Sequence, residues 1–396
     1  MSVRKRKWMT AAGEAKEAWV VDYRDAKGER HIETFGKKKD ADARHSEVDV
    51  DVRKGVHTPV NKSITVEKAA QDWLKYIELE GREATTIEQY QTHVNLHIVP
   101  RIGREKLAAL TAPRIEDLRD ELLAAMSRPM ARKVLTSLKS ILKDAQRRGN
   151  VAQNVAAAVQ IKKDRRNENV KLKIGVDIPT PQEVAAIINT SSGRWKPLLI
   201  TAAFTGIRAS ELRGLRWKDV DLKGEKIHVA QRADRLNQIG RPKTAAGDRE
   251  IPLRPVVLQA LREWKLKCPR SERDLVFPNG DGGIENLSNI LQRGFQPAQV
   301  AAGVTVRVKD EHGKPVRDEE GNPVLAAKYY GLHSLRHFNA SWLINRKADG
   351  GLELPPKEVQ TRLGHSNIAM TRDVYGHLFP RRREDVELTD LERSLS

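Results

Sequence analysis

The chain has 396 residues, with 71 Lys and Arg against 53 Asp and Glu, a formal net charge of +18. Hydrophobic residues make up 39% and charged residues 31%, which excludes global disorder and leaves room for two or three domains with their own cores. The single cysteine, Cys268, allows neither an internal disulfide nor a Cys-based zinc site, and the basic excess points to a polyanionic partner.

The chain starts basic and then turns polar, without the apolar segment of a signal peptide. The most apolar run, residues 197–207, is far shorter than the ~20 residues a membrane helix requires. A cytoplasmic protein is expected. Residues 18–25 and 30–35 alternate and are rich in β-branched and aromatic side chains, with a turn at 26–29 between them. A helix is expected from Lys37 onward, making a small N-terminal sheet with one helix over 1–58. Residues 55–61 have linker composition. From Ser63 the period becomes helical: Val66, Ala69, Ala70, Trp73, Leu74 and Ile77 share one face, capped by Ser63 or Thr65. A second helix is expected over 86–98, ending before Pro100, a third over 115–126 and a fourth over 131–147. These define a four-helix domain at 63–160.

Residues 162–177 are charged and aperiodic, an interdomain connection. A third domain, 175–396, opens with a helix capped by Thr180 and carrying Pro181 in its first turn. Helices continue to Trp217. Strands are expected at 226–230 and 249–253, and a β-hairpin insertion at 304–328. The fold class is therefore multidomain and mainly α: a small N-terminal β-sheet plus helix, a four-helix domain, and an α+β domain with a small antiparallel sheet.

No Gly-Lys-Ser/Thr phosphate loop, GxGxxG or HExxH is present, so no cofactor and no metal is expected. What remains is a set of cations, histidines and one tyrosine at helix boundaries. In 205–212, TGIRASEL, Arg208 stands at a helix start, where the macrodipole disfavours a cation unless an anion joins it. In 330–337, His333 and Arg336 share a helical face, and His337 is a competing candidate that reads as structural. In 362–375, Gly364 suits a helix C-cap, His365 the turn, Ser366 or Asn367 the next cap, and Tyr375 lies near that helix's end. Taken singly, each is more often a surface or packing residue. Together they match phosphodiester transfer, in which two guanidiniums clamp the non-bridging oxygens and cations replace a metal.

With these boxes in order, the sequence resembles the tyrosine recombinase, or phage integrase, family along nearly its whole length. Arg208 looks like the first family arginine, HSLRH supplies His333 and Arg336, LGHSN supplies His365, and Tyr375 follows. The family lysine precedes an Arg-x-Ile-Pro-Leu strand, which makes Lys243 the match and Arg249 its rival. The resemblance implies that Tyr375 attacks the scissile phosphate and forms a 3′-phosphotyrosyl link. It also implies that Arg208 and Arg336 hold the phosphate, Lys243 protonates the leaving 5′-oxygen, His333 assists proton transfer and His365 hydrogen-bonds the phosphate. Rejoining would need neither ATP nor metal. It further implies that 1–58 is an arm-type DNA-binding domain of the lambda type, 63–160 a core-binding domain and 175–396 the catalytic domain. Implied partners are double-stranded DNA at attachment sites, a homotetramer on two duplexes, and a host bending protein and excision factor. Residues near 386–391 would pack on a neighbouring subunit. The expected activity is integration and excision of a phage or mobile element. The alternatives are a chromosome-dimer resolvase, which normally lacks the N-terminal domain, an inactive DNA-binding regulator, and a metal-dependent transposase.

Overall fold

A computed structural model describes residues 2–9, 15–24, 28–53, 63–162 and 171–380. The linker expected at 55–61, residues 163–170 of the charged connection and the helix expected at 386–391 lie outside the described residues. The chain divides into two compact units, Met1–Asn169 and Val170–Ser396.

In the first unit, β1 (Ser2–Met9), β2 (Ala15–Arg24) and β3 (Arg30–Phe35) form an antiparallel sheet in that order. Helix α1 (Lys38–Arg53) buries Ala41 and Val48 against Val21 and Tyr23. The sequence reading had only a basic start where β1 stands. Seven of its eight residues are exposed, so this edge strand carries no apolar alternation to betray it.

Helix α2 (Val66–Leu79) begins at Thr65, whose side chain accepts from the Lys68 N–H, and buries Val66, Ala69, Ala70, Trp73 and Ile77 on one stripe. The next helix does not stop before Pro100. It runs from α3 (Ala84–Thr92) through a wider π segment (His93–Ile98) into α4 (Val99–Ile102), with Pro100 inside. A proline in a regular helix lacks the donor and crowds the carbonyl four residues back. In the widened turn the Val99 N–H reaches back to Val94, and the helix survives the ring. At its end a Cβ on Gly103 would lie 2.6 Å from the Val99 carbonyl oxygen, so the close approach needs glycine. Helix α5 (Ala112–Ala125) is capped by Thr111, and α6 (Arg128–Arg147) buries Leu135, Leu138 and Leu142 in the same core.

The second unit opens with α7 (Pro181–Thr190) on a capping box formed by Thr180 and Glu183. Helix α8 (Trp195–Thr205) is buried on nearly every side and is the central helix of this core. It ends at Gly206, whose φ of +63° is left-handed. Helix α9 (Ala209–Arg213) follows. Strands β4 (Val220–Asp221), β5 (Lys226–Val229) and β8 (Arg249–Pro252) form an antiparallel sheet, and β6 (Arg232–Ala233) and β7 (Ile239–Gly240) a hairpin between β5 and β8. Helix α10 (Pro255–Lys265), then α11 (Leu287–Asn289), a second π segment (Ile290–Phe295) and α12 (Gln296–Ala301) lead to the insertion.

The insertion is a hairpin at its base, β9 (Thr305–Arg307) against β10 (Leu325–Ala327). Above the base it is a three-way junction. Residues 308–315 and 316–323 each read Val-basic-Asp-Glu-x-Gly-x-Pro, an eight-residue repeat not noticed in the sequence. Three backbone bonds close a ring: Val316 N–H to Val308 (2.9 Å), Val324 N–H to Val316 (2.9 Å) and Val308 N–H to Val324 (2.8 Å). Each octad folds into a small lobe. In the first, the Asp310 carboxylate accepts from the His312 and Lys314 N–H groups and Gly313 takes a positive φ; Asp318 and Gly321 repeat this in the second. Lys328 and Tyr329 anchor the exit by bonding to Glu183. Helices α13 (His333–Ile344), α14 (Pro356–Leu363) and α15 (Ile368–Tyr375) complete the unit.

Candidate active site

Three tight turns build the site. The first is Gly206 after α8. A Cβ there would meet Asn339 Oδ1 at 2.6 Å, so packing as well as φ requires glycine. The turn delivers Arg208 to the start of α9. Its Nη1 donates to Glu211 Oε1 at 2.7 Å and its Nη2 to the Gly364 carbonyl at 2.7 Å. Glu211 is 2% exposed and also takes Arg249 Nη2 at 3.0 Å. Burial alone would raise the Glu211 pKa, but the Arg249 and Arg208 guanidiniums override it and hold the carboxyl below its ordinary range. Arg249, the rival cation, is itself buried and spends its other donors on the Arg362 and Gly247 carbonyls. It braces the site and does not face it.

The second turn is Gly364, left-handed at φ +66°, which ends α14. A Cβ there would lie 2.8 Å from both the Ala246 carbonyl and Arg249 Nη1. Arg336, on α13 and 2% exposed, donates Nη1 to the Gly206 carbonyl and Nη2 to the Leu363 carbonyl, each at 2.6 Å. Both arginines thus rest on carbonyls at helix C-ends, where the dipole favours a cation. Burial first, then Arg208 and Arg249, lower the Arg336 pKa to about 9, so it stays charged at neutral pH. His365 follows Gly364. Its Nδ1 meets Thr371 Oγ1 at 2.9 Å, and burial, then Arg336, push its pKa down to about 4.

The third turn starts α15, where Asn367 accepts from the Met370 N–H at 2.9 Å. Tyr375 is the last residue of that helix and is 2% exposed. Its ring stacks parallel to His365 with centroids 6.3 Å apart. Burial raises the phenol pKa to about 12, with Arg336 pulling the other way. Its hydroxyl meets His337 Nδ1 at 2.7 Å. His333 is exposed at the helix start and packs edge-on against His337, centroids 4.6 Å apart. Partial desolvation of the ring by the groups packed around it, then Arg336 and Arg208, lower its pKa.

The structure therefore gathers Arg208, His333, Arg336, His365 and Tyr375. Lys243 sits exposed in the loop between β7 and β8. Sequence reasoning missed Glu211, weighed Arg249 only as a rival to Lys243 and not as a brace, and set His337 aside as structural. The available signal was its spacing: His337 is four residues past His333, on the same helical face. Among the described residues no group of three or more His, Cys, Asp or Glu side chains is placed to hold a metal ion. The arrangement offers fixed positive charge beside a phenol and neutral imidazoles, suited to an anionic centre under nucleophilic attack.

The chain is similar in sequence and fold to known proteins. The sequence pattern of the Phage integrase family matches residues 179–382, just over half of the chain. A protein of Caldanaerobacter subterraneus named "Tyrosine recombinase XerC-like" is 24% identical over 379 residues, covering 89% of each chain. Among solved structures, the Tn1549 transposon integrase in complex with a circular intermediate DNA superposes with a TM-score of 0.59 at 21% identity, over 84% of this chain and 99% of that one. A lambda integrase tetramer bound to a Holliday junction gives a TM-score of 0.55 at 17% identity, over 91% of this chain and 95% of that one.

Proposed function

The chain belongs to the phage integrase family and is a site-specific tyrosine recombinase, an enzyme that cleaves and rejoins DNA; from that premise we propose that Tyr375 is the nucleophile and that the element moved is a phage or other mobile element. In this reading the phenol oxygen attacks the scissile phosphorus and forms a 3′-phosphotyrosyl link, releasing a 5′-hydroxyl. Arg208 and Arg336 redirect guanidinium donors to the non-bridging oxygens, with His365 adding a hydrogen bond. Lys243, carried on its loop, protonates the leaving 5′-oxygen. His333, packed against His337, assists proton transfer from the tyrosine. Because the phosphotyrosyl bond conserves the energy of the broken one, attack by a 5′-hydroxyl rejoins DNA without ATP. The observation that carries this reading is the convergence of two carbonyl-held arginines, one at the start of α9 and one within α13, beside one buried tyrosine.

The same reading gives residues 1–58 an arm-type DNA-binding role, 63–160 a core-site-binding role and 175–396 the chemistry. Double-stranded DNA at attachment sites is the substrate, and a homotetramer on two duplexes the working assembly, a reading supported by the lambda integrase tetramer bound to a Holliday junction. A bending protein of the host and an excision factor complete the expected partners, and the bacterial cytoplasm is the expected compartment. Among the described residues no helix is long and apolar enough to cross a membrane.

A nicked suicide duplex tests the proposal, because loss of the short fragment traps the covalent adduct. Wild type should accumulate a protein–DNA adduct in buffer containing EDTA. Tyr375→Phe should bind the same DNA and form adduct at least about 10⁴-fold more slowly, the scale of losing a covalent nucleophile. Adduct formed by Tyr375→Phe at the wild-type rate would remove Tyr375 from its assigned place.

A further inference from the structure

The hydroxyl of Tyr375 is held by His337, not by His333. The phenol keeps its proton, since its pKa is raised to about 12, and so the O–H donates and Nδ1 accepts. That fixes the imidazole as the tautomer protonated on Nε2. The ring is neutral, because burial first and then His333 and Arg336 push its pKa down to about 4. The groups that face it are His333 and Arg336 on its own helix, Tyr375 on α15 and Asp177 ahead of α7. An unprotonated nitrogen 2.7 Å from a buried phenol O–H is already at proton-transfer distance. His333 is exposed and meets the edge of the His337 ring.

We propose that His337 accepts the Tyr375 proton through Nδ1 as the phenol oxygen attacks the scissile phosphorus. The inference rests on Tyr375 being the nucleophile. As the O–P bond to tyrosine forms, the phenol O–H bond breaks and its proton passes to Nδ1. The bond from phosphorus to the 5′-oxygen breaks, and that oxygen takes a proton from Lys243. Rejoining runs the same steps backward, with the His337 imidazolium returning its proton to the departing tyrosine oxygen. The entering phosphodiester supplies the negative charge that stabilises this imidazolium, and the phenol becomes strongly acidic only as its oxygen bonds to phosphorus. Arg336 and His337 are consecutive residues of one helix. The group assigned to the phosphate and the group assigned to the proton are therefore held in a fixed relation.

The test separates proton acceptance from mere positioning. His337→Asn keeps an acceptor oxygen near the Nδ1 position but cannot carry the proton. Single-turnover adduct formation by the full-length protein is measured on two suicide duplexes, one with the ordinary 5′-oxygen at the scissile phosphate and one with bridging sulfur there. A sulfur leaving group departs without a proton, so it relieves a defect on the leaving-group side alone. His337→Asn should bind DNA as wild type does and form adduct about 10²-fold or more slowly on both duplexes, within the usual range for general-base catalysis. Lys243→Ala is the control that sulfur restores. The proposal is overturned if His337→Asn cleaves the ordinary duplex within about threefold of wild type, or if bridging sulfur restores it. The sulfur-to-oxygen rate ratio is taken on the same folded molecules, so it remains decisive if the variant melts earlier than wild type. Adduct formation by Tyr375→Phe would sink the nucleophile reading itself, an outcome distinct from either result for His337.

Discussion

The helical core of the first unit and the core of the second are built on opposite principles. Helices α2 to α6 close around Val, Ile, Leu, Ala and Trp, and water exclusion is their main source of stability. The second core has a comparable apolar body, but Arg336, Arg249, Arg213 and Glu211 are buried within the unit. Taking such charges out of water costs several kcal/mol each before partners repay it, on the order of what a domain's net stability amounts to. The partners are mostly carbonyl oxygens of the turns themselves. Arg213 donates to the Glu285 carbonyl at 2.6 Å and the Asp234 carbonyl at 2.8 Å, bracing the loop that connects β6 and β7, and Arg336 joins the ends of α8 and α14. One core holds none of the groups assigned to the reaction, whereas in the other Arg336, assigned to the phosphate, is also one of the buried charges that tie the turns together.

The largest test of that contrast is Glu211→Ala. It leaves Arg249 buried without its carboxylate and frees Arg208, so chemical denaturation should show the second unit destabilised by about 3–5 kcal/mol. Adduct formation should fall with it. Leu138→Ala in α6 should cost about 2–5 kcal/mol through a cavity in the first unit, read from the same denaturation curves. At saturating DNA and below the melting transition, its rate of adduct formation should equal wild type. A large loss in that rate would break the contrast. A third effect is expected on acid sensitivity. His337 and His365 have folded pKa values of about 4, below the ordinary 6.5. Their neutral forms are favoured by folding, so this contribution is complete above about pH 6.5 and lost as pH falls toward 4. His93 in the first unit moves in the same direction, by burial and then His97. Melting followed between pH 7.5 and 5 should show the second unit losing stability more steeply than the first.

The sequence exposed the parts of this molecule that obey local rules. The α2 stripe, the Thr180 cap and the Gly364 C-cap follow from periodicity and capping chemistry, and all are present. The convergence of Arg208, His333, Arg336, His365 and Tyr375 did not follow from any single box and became visible only through their order. Features set by long-range packing stayed hidden. Strand β1 exists because it pairs with β2 and not because of its own pattern, and Pro100 is tolerated because a π segment precedes it. The His337 contact depends on the end of α15 reaching α13, a separation of 38 residues that no motif encodes. The octads escaped notice because they are shorter than the repeats usually sought.

Those octads make the insertion's length come in quanta. Each lobe leaves the valine ring and returns to it after eight residues, and Val308 already donates to Val324. Excising 309–316 would set these two valines as a mutual antiparallel pair and turn the trefoil into a plain ladder. Duplicating an octad would add a lobe. Either change keeps register with β9 and β10, so this segment can vary by whole modules while the helix bearing His333, Arg336 and His337 starts from the same place.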